Sequence, residues 1–140
     1  MADAEEQIRA ILGNDTFRWA QEQVPPGRSM DDTRFRDLIS VTEEDVLEFV
    51  EREGFDPSVV AEGDAASGAD DRICMVPEPD GRWRIYYTER GLRSGERVLP
   101  SEADARREIV SDLMRSARIS LNHRYRLVHS NESLPSPSEM

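Results

Sequence analysis

The hydrophobic pattern changes its period along the chain, and this change limits the possible fold more than any other feature. In the first half, apolar residues recur every three or four positions, which is typical of short amphipathic helices. After residue 71, apolar and polar residues alternate, which is typical of strands, until a helical pattern returns after Ser101. Because the strands follow one another and do not alternate with helices, the pattern predicts an α+β fold.

Four short helices are predicted before the strands. The best-marked one has Thr42 as its N-cap, Asp45 at the third position of a capping box, and Gly54 as a left-handed C-terminal cap. Its apolar residues share one side, so its glutamates are expected on the other. The four predicted helices cover residues 3–12, 15–24, 32–40 and 42–53.

The second half predicts a three-stranded antiparallel meander followed by a long C-terminal helix. The strands are expected at Arg72–Val76, Arg82–Glu89 and about Glu96–Leu99, and the helix at Ser101 to about Arg126. A Pro-Asp-Gly turn joins the first two strands, and a longer turn that contains Gly91 and Gly95 is expected before the third.

The predicted organisation has four segments. Residues 1–55 form an acidic helical segment, and residues 56–71, DPSVVAEGDAASGADD, read as a flexible acidic linker. Residues 72–127 form the βββα module, and residues 128–140 lack apolar periodicity and are expected to be a disordered tail. With 140 residues in all, one compact domain is expected.

The composition excludes several chemistries. All 18 basic residues are arginine, so Schiff-base chemistry, a phosphate-loop lysine and a lysine general base are excluded. His123 and His129 stand six positions apart, which does not match a helical pair of metal ligands, and Cys74 is the one cysteine. We therefore expect no enzyme activity, cofactor or metal, although 29 acidic residues leave a catalytic carboxylate pair open.

The sequence also predicts a location. No stretch approaches the roughly 20 apolar residues that a membrane span needs. The first residues, MADAEEQIRA, are acidic where a secretory signal would be basic. A cytoplasmic protein without membrane contact is expected.

The charge is unevenly distributed. Residues 1–71 carry a net charge of -13 and residues 72–140 a net charge of +2, which gives -11 for the chain. An acidic surface of this kind accelerates association with a basic protein and repels nucleic acid. A solvated surface, or pairing with arginines of the second half, is the alternative interpretation. The candidate partner-binding residues are Glu43, Glu44, Glu48, Glu51 and Asp56.

Arginines and aromatic residues are interleaved on the predicted meander. Such a surface binds phosphates and stacks bases in small nucleic-acid-binding domains. The other interpretation is that these residues are ordinary side chains of the strands with no binding role. The negative charge of the whole chain also opposes nucleic-acid binding. The residues that would carry this alternative are Arg82, Arg84, Tyr86 and Arg93.

The stretch Gly81–Leu113 resembles a meander-plus-helix module of small immunity proteins encoded beside bacterial polymorphic toxins. The resemblance implies a cytoplasmic inhibitor that occludes the active site of a toxin and catalyses nothing. Under it, the partner is a basic toxin domain. The residues that carry the resemblance are Trp83, Tyr86, Tyr87, Glu89, Arg90, Gly91, Glu96, Leu99, Ser101, Glu102 and Ala105.

The same stretch is also similar to the arm-type DNA-binding module of phage-type integrases, which joins a three-stranded sheet to a helix. That resemblance implies a small nucleic-acid-binding regulator. The acidic first half and the absence of lysine depart from it. The immunity-protein hypothesis is therefore preferred, and the regulator is kept as the alternative.

Overall fold

The computed structural model describes residues 2–129. Its elements follow the order of helices, strands and a long helix. They are α1 (Ala4–Leu12), α2 (Thr16–Gln23), a 3-10 turn (Met30–Asp32), α3 (Phe35–Leu38), α4 (Glu43–Glu53), β1 (Val60–Glu62), a second 3-10 turn (Gly63–Ala66), β2 (Arg72–Pro77), β3 (Trp83–Glu89), β4 (Leu92–Leu99) and α5 (Glu102–Val128). The α+β class and the long C-terminal helix are confirmed.

The prediction of a three-stranded antiparallel meander is wrong. The sheet has four strands in the order β1-β2-β3-β4, and β1 pairs with β2 in parallel. The additional strand, Val60–Glu62, comes from the segment 56–71 that was expected to be a linker. Val60 and Ala61 are buried, so this short strand is held by its pairing with β2 and by its burial.

The chain divides into two compact units, and the division falls within α4 and α5. Of the described residues, one unit contains residues 2–46 and 112–129, and the other contains Leu47–Ser111. The sheet and the segment 56–71 belong to the second unit. Of the predicted tail, residues 130–140 lie outside the described part of the chain.

In the first unit, helix α1 and the second part of α5 carry fully buried apolar residues such as Ile11 and Leu121. A polar side chain is also buried there: Asn122 Oδ1 accepts a hydrogen bond of 2.7 Å from the backbone N–H of Phe35. This bond satisfies one of the N–H groups that the start of helix α3 would otherwise leave unpaired.

In the second unit, both faces of the sheet carry buried residues. The Cys74 face holds Ala61, Cys74 and Tyr86, which form a small buried cluster with Ala66 from the connection between β1 and β2. The opposite face, the Met75 face, holds Met75 and Ile85, which are 0% and 1% exposed. The connection between β1 and β2 therefore covers one face of the sheet.

Strands β3 and β4 are joined by a tight turn, so the longer turn expected there is wrong. Glu89 pairs with Leu92, and the two residues between them have φ angles of 52° (Arg90) and 78° (Gly91). Positive φ at both positions defines the type I′ turn of a two-residue hairpin. Strand β4 consequently begins four residues earlier than the predicted Glu96.

Gly95 lies in β4 at an irregularity of the pairing with β3. Ile85 pairs with Arg97 and Tyr87 with Ser94, so two residues of β4 lie opposite one residue of β3. The φ angle of Gly95 is 62°, which fits the glycine position of a β-bulge.

Candidate functional site

The acidic helix α4 is capped at both ends by its own residues. Thr42 N–H donates to Asp45 Oδ2 at 2.9 Å, and Asp45 N–H donates to Thr42 Oγ1 at 3.2 Å. Gly54, with φ of 83°, donates its N–H to the carbonyl oxygen of Val50 at 2.7 Å. The predicted capping box and C-terminal cap are confirmed, and the helix begins and ends where the sequence places it.

The segment that leads into α4 is held by Gln7, a side chain that is only 1% exposed. Gln7 Oε1 accepts hydrogen bonds from the N–H groups of Ser40 at 2.8 Å and Val41 at 3.3 Å. Gln7 Nε2 also donates to the carbonyl oxygen of Ala2 at 2.9 Å. One buried amide therefore fixes the backbone immediately before the N-cap of the acidic helix.

The carboxylates of α4 point to solvent. Val46, Leu47, Phe49 and Val50 are buried, whereas the glutamates of the helix are exposed. Three of them follow one another at helical spacings of four and three residues, which puts them on one side of the helix. We call the exposed side that contains Glu43, Glu44, Glu48 and Glu51 the acidic face.

Asp56 is separate from this arrangement. It follows the C-terminal cap, is half-buried, and accepts hydrogen bonds from Ser58 N–H at 2.9 Å and Ser58 Oγ at 2.6 Å. Its carboxylate closes a turn of its own. The structure therefore places four of the five predicted partner-binding residues on one helix and the fifth in the following turn.

The acidic helix carries little positive charge of its own. Six of its eleven residues are acidic, and Arg52 is its one arginine. Arg52 Nε lies 3.4 Å from Glu53 Oε1, and its guanidinium lies 5.5 Å from the centre of the Phe49 ring. Carboxylates in the first turn stabilise the helix because the helix N-terminus carries partial positive charge. The carboxylates further along α4 gain no stabilisation from that charge.

Arg82 and Arg84 pair with carboxylates of β4 and of the turn between β2 and β3. Arg84 Nε lies 2.5 Å from Glu78 Oε1, and Arg84 Nη1 lies 2.8 Å from Glu96 Oε2. Hydrogen bonding to Glu78 is the largest cause that raises the pKa of Arg84. Arg82 Nε lies 2.8 Å from Asp80 Oδ2. The sheet therefore neutralises much of the positive charge that nucleic-acid binding would need.

Tyr86 is buried on the Cys74 face and is only 4% exposed. The guanidinium of Arg93 lies over its ring, 4.2 Å from the ring centre, which is a cation–π contact. Burial is the main cause that raises the pKa of Tyr86, followed by the neighbouring Cys74. One face of the aromatic ring is thus occupied by an arginine of the same sheet.

The corner of the sheet where the hairpin turns was not predicted from the sequence as a site. Tyr87 is 39% exposed and Leu92 is 75% exposed, and both lie at that end of the sheet. A tight turn brings Tyr87 and Leu92 together, whereas the sequence predicted a longer turn here. The signal that could have revealed them is the Arg90-Gly91 pair between two alternating segments, which permits a two-residue turn.

Two further features bear on ligands. A cleft of about 170 Å³ in the first unit is smaller than the roughly 300 Å³ at which small-molecule sites begin. It is lined by Gln23, Pro25, Arg28, Thr33, Asp37 and Leu38. Among residues 2–129, no three or more His, Cys, Asp or Glu side chains form a group that could hold a metal ion.

None of the helices in the described part of the chain combines the length and the apolar character that crossing a membrane requires. No protein-family model, no curated protein and no solved structure matches the chain.

Proposed function

We propose that this protein is a non-enzymatic protein-binding module whose partner is a basic protein. The observation that carries the proposal is the acidic face of α4, where exposed carboxylates stand on a helix capped at both ends. The backbone of a capped helix is already ordered, so it loses little conformational freedom when the helix binds. Such a surface favours association with an oppositely charged protein.

The specific form of the proposal is an immunity protein that binds and occludes a basic bacterial toxin domain in the cytoplasm. The resemblance of Gly81–Leu113 to immunity proteins supports this form. Inhibition would be steric, since the bound protein would block access to the active site of the toxin. The acidic face would set the rate of association and exclude acidic proteins.

Nucleic-acid binding by the sheet has less support. Arg84 is held between two carboxylates, and the ring of Tyr86 is buried beneath Arg93. A phosphate or a base would have to displace these contacts before it could bind. We therefore treat nucleic acid as an outcome of the test below.

The first experiment is affinity capture of the tagged full-length protein from the cells that encode it, with elution by a salt gradient. A basic protein released in stoichiometric amount is the expected result, and it would identify the target. Nucleic acid that elutes steeply with salt, with no protein in stoichiometric amount, would overturn the proposal.

The second experiment uses charge reversal on the acidic face with a matched control. Glu48→Arg with Glu51→Arg is expected to slow association with the captured partner at least tenfold, roughly, because electrostatic attraction is lost. Glu22→Arg with Asp64→Arg makes the same change in net charge at exposed positions elsewhere. Stopped-flow fluorescence measures both rates. Equal rates for the two variants would exclude the acidic face as the contact.

Both variants need a stability control. The four positions are exposed, so each substitution should change the free energy of unfolding by less than about 0.5 kcal/mol. Glu43 and Glu44 are left unchanged, since they lie in the first turn and stabilise the helix N-terminus. Urea unfolding then separates a loss of binding from a loss of folding.

A further inference from the structure

The Met75 face is covered at its centre but open at the corner where the hairpin turns. One row of residues crosses all four strands on this face: Val60 pairs with Ile73, Ile73 with Tyr87, and Tyr87 with Ser94. Exposure rises along this row, from buried Val60 through half-buried Ile73 to Tyr87, which is 39% exposed. The aromatic ring therefore stands at the edge of the covered region.

Leu92 continues this exposed apolar surface. Leu92 pairs with Glu89, and Ser94, two positions later on β4, pairs with Tyr87. Leu92 therefore lies diagonally from Tyr87 on the same face of the sheet. Diagonal neighbours on adjacent strands are roughly 7–8 Å apart, within reach of an aromatic side chain. We call Ile73, Tyr87 and Leu92 the corner patch.

Three carboxylates surround the corner patch. Glu89 is two residues from Tyr87 on β3 and lies on the same face, since side chains alternate along a strand. Asp70 Oδ1 accepts a hydrogen bond of 2.7 Å from the N–H of Arg90, which holds that carboxylate at the hairpin turn. Asp71 directly precedes β2 and adopts a left-handed φ of 52°.

The electrostatic environment of Tyr87 agrees with this geometry. Burial is the first cause that raises the pKa of its hydroxyl, and the charges of Asp71, Glu89 and Asp70 follow in that order. Three arginines are near the same corner. Arg90 forms the turn itself, and Arg93 points to the opposite face, where it covers Tyr86. Arg72 alternates with Ile73 along β2 and so also lies on the opposite face, where its Nη1 donates to the carbonyl oxygen of Pro57 at 3.3 Å. Negative charge therefore predominates around the exposed ring.

We propose that the corner patch binds an arginine or lysine side chain of a protein partner. The cation would lie on the ring of Tyr87, between the carboxylates of Asp71 and Glu89, and its apolar stem would pack against Leu92. An exposed tyrosine with surrounding carboxylates combines two groups that attract a cation at a protein surface. This inference deepens the proposed function, because it rests on the partner being a basic protein.

The test is an NMR titration of the full-length ¹⁵N-labelled protein with the peptide acetyl-(Arg-Leu)₃-amide. Backbone amide signals of residues 70–73 and 87–92 are expected to shift as the peptide is added. The matched peptide acetyl-(Gln-Leu)₃-amide keeps the apolar side chains without the charge. Equal shifts with both peptides, or no shift at the corner with the arginine peptide, would overturn the proposal.

Substitutions then identify the groups involved. Leu92→Ser, and separately Asp71→Asn with Glu89→Gln, are each expected to weaken peptide binding at least threefold, roughly. Tyr87→Phe keeps the ring and should bind within about twofold of the wild type, whereas Tyr87→Ala should lose the corner shifts. Because Leu92 is 75% exposed, the effect of Leu92→Ser on peptide binding does not depend on the packing of Tyr87. Unchanged binding in the Leu92 and carboxylate variants would contradict the assignment.

A charge-reversal variant on α4 separates this inference from the proposed function. Glu48→Arg with Glu51→Arg should abolish peptide-induced shifts on α4 and leave the shifts at the corner unchanged. Shifts confined to α4 would refute the corner patch while the proposed function stands. Corner shifts in a protein that captures no basic partner from cells would refute the proposed function while the corner patch stands.

Discussion

At the scale of single residues, two side chains satisfy the first N–H groups of the short helix α3. Asp37 Oδ2 accepts a hydrogen bond of 2.8 Å from the N–H of Arg34, and Asn122 Oδ1 accepts one of 2.7 Å from the N–H of Phe35. A helix of four residues has few hydrogen bonds of its own, so such contacts decide whether it forms. Asp37 is also paired with the Arg34 guanidinium.

Asp37 gives a pH-dependent prediction. Burial acts to raise the pKa of Asp37, but the hydrogen bonds and charge of Arg34 outweigh it, so the folded pKa lies below the unfolded 3.8. The ionised form therefore adds stability that is present above about pH 3.8 and is lost as the pH falls through the folded pKa. Because the carboxylate is partly exposed, the expected advantage over Asp37→Asn at pH 7 is about 0.5–1 kcal/mol.

Urea unfolding of wild type and Asp37→Asn between pH 7 and pH 2.5 measures this advantage, with Asp64→Asn as the exposed control. The difference in the free energy of unfolding should shrink as the pH falls below 3.8. A difference that stays constant over this range would show that the charge of Asp37 has no part in folding.

At the scale of elements, the β3–β4 hairpin depends on two residues with left-handed backbone. Arg90 has φ of 52° and Gly91 has φ of 78°. Glycine adopts this conformation without cost, whereas arginine does so at some expense in energy. Gly91 therefore suits the left-handed backbone of the turn, whereas replacing Arg90 could raise the free energy of unfolding.

Gly91→Ala is expected to lower the free energy of unfolding by about 1–2 kcal/mol, and Arg90→Asn to raise it by about 0.5 kcal/mol. Gly13→Ala is the control, since Gly13 has φ of -76°, which any residue adopts. Thermal and urea unfolding measure all three. Equal losses for Gly91→Ala and Gly13→Ala would show that the left-handed turn does not stabilise the hairpin.

At the scale of the whole molecule, the dominant property is the net charge of -11. Like charges repel one another more strongly in the compact state than in the unfolded chain, and salt screens this repulsion. Arginines of the sheet relieve it locally through Glu78, Glu96 and Glu108, but helix α4 has one arginine for six acids. The stability of the protein should therefore depend on ionic strength.

Raising NaCl from 0.02 M to 0.3 M is expected to increase the free energy of unfolding by about 0.5–1 kcal/mol. In Glu48→Arg with Glu51→Arg, each reversal adds two positive charges, so the net charge of -11 becomes -7 and the increase should be smaller. Differential scanning calorimetry at both salt concentrations measures the effect. An equal response of the two proteins would mean that the salt acts through something other than the acidic face.

The sequence by itself determined the features that depend on neighbouring residues. Thr42 and Asp45 cap α4, Gly54 ends it, and Ser101 with Asp104 begins α5, because each of these contacts spans at most four residues. The exposure of the glutamates of α4 follows from the same helical period, so the main candidate site was predictable.

Only the tertiary structure decided the fourth strand and the burial of the aromatic residues. Val60–Glu62 has no strand pattern of its own, and it becomes a strand because β2 supplies parallel hydrogen-bond partners. Alternation placed Tyr86 and Tyr87 on opposite faces, but which face is covered depends on distant segments, such as the connection that carries Ala66. Burial is a sum over contacts from the whole chain, whereas a cap or a helical period is read from a few adjacent residues.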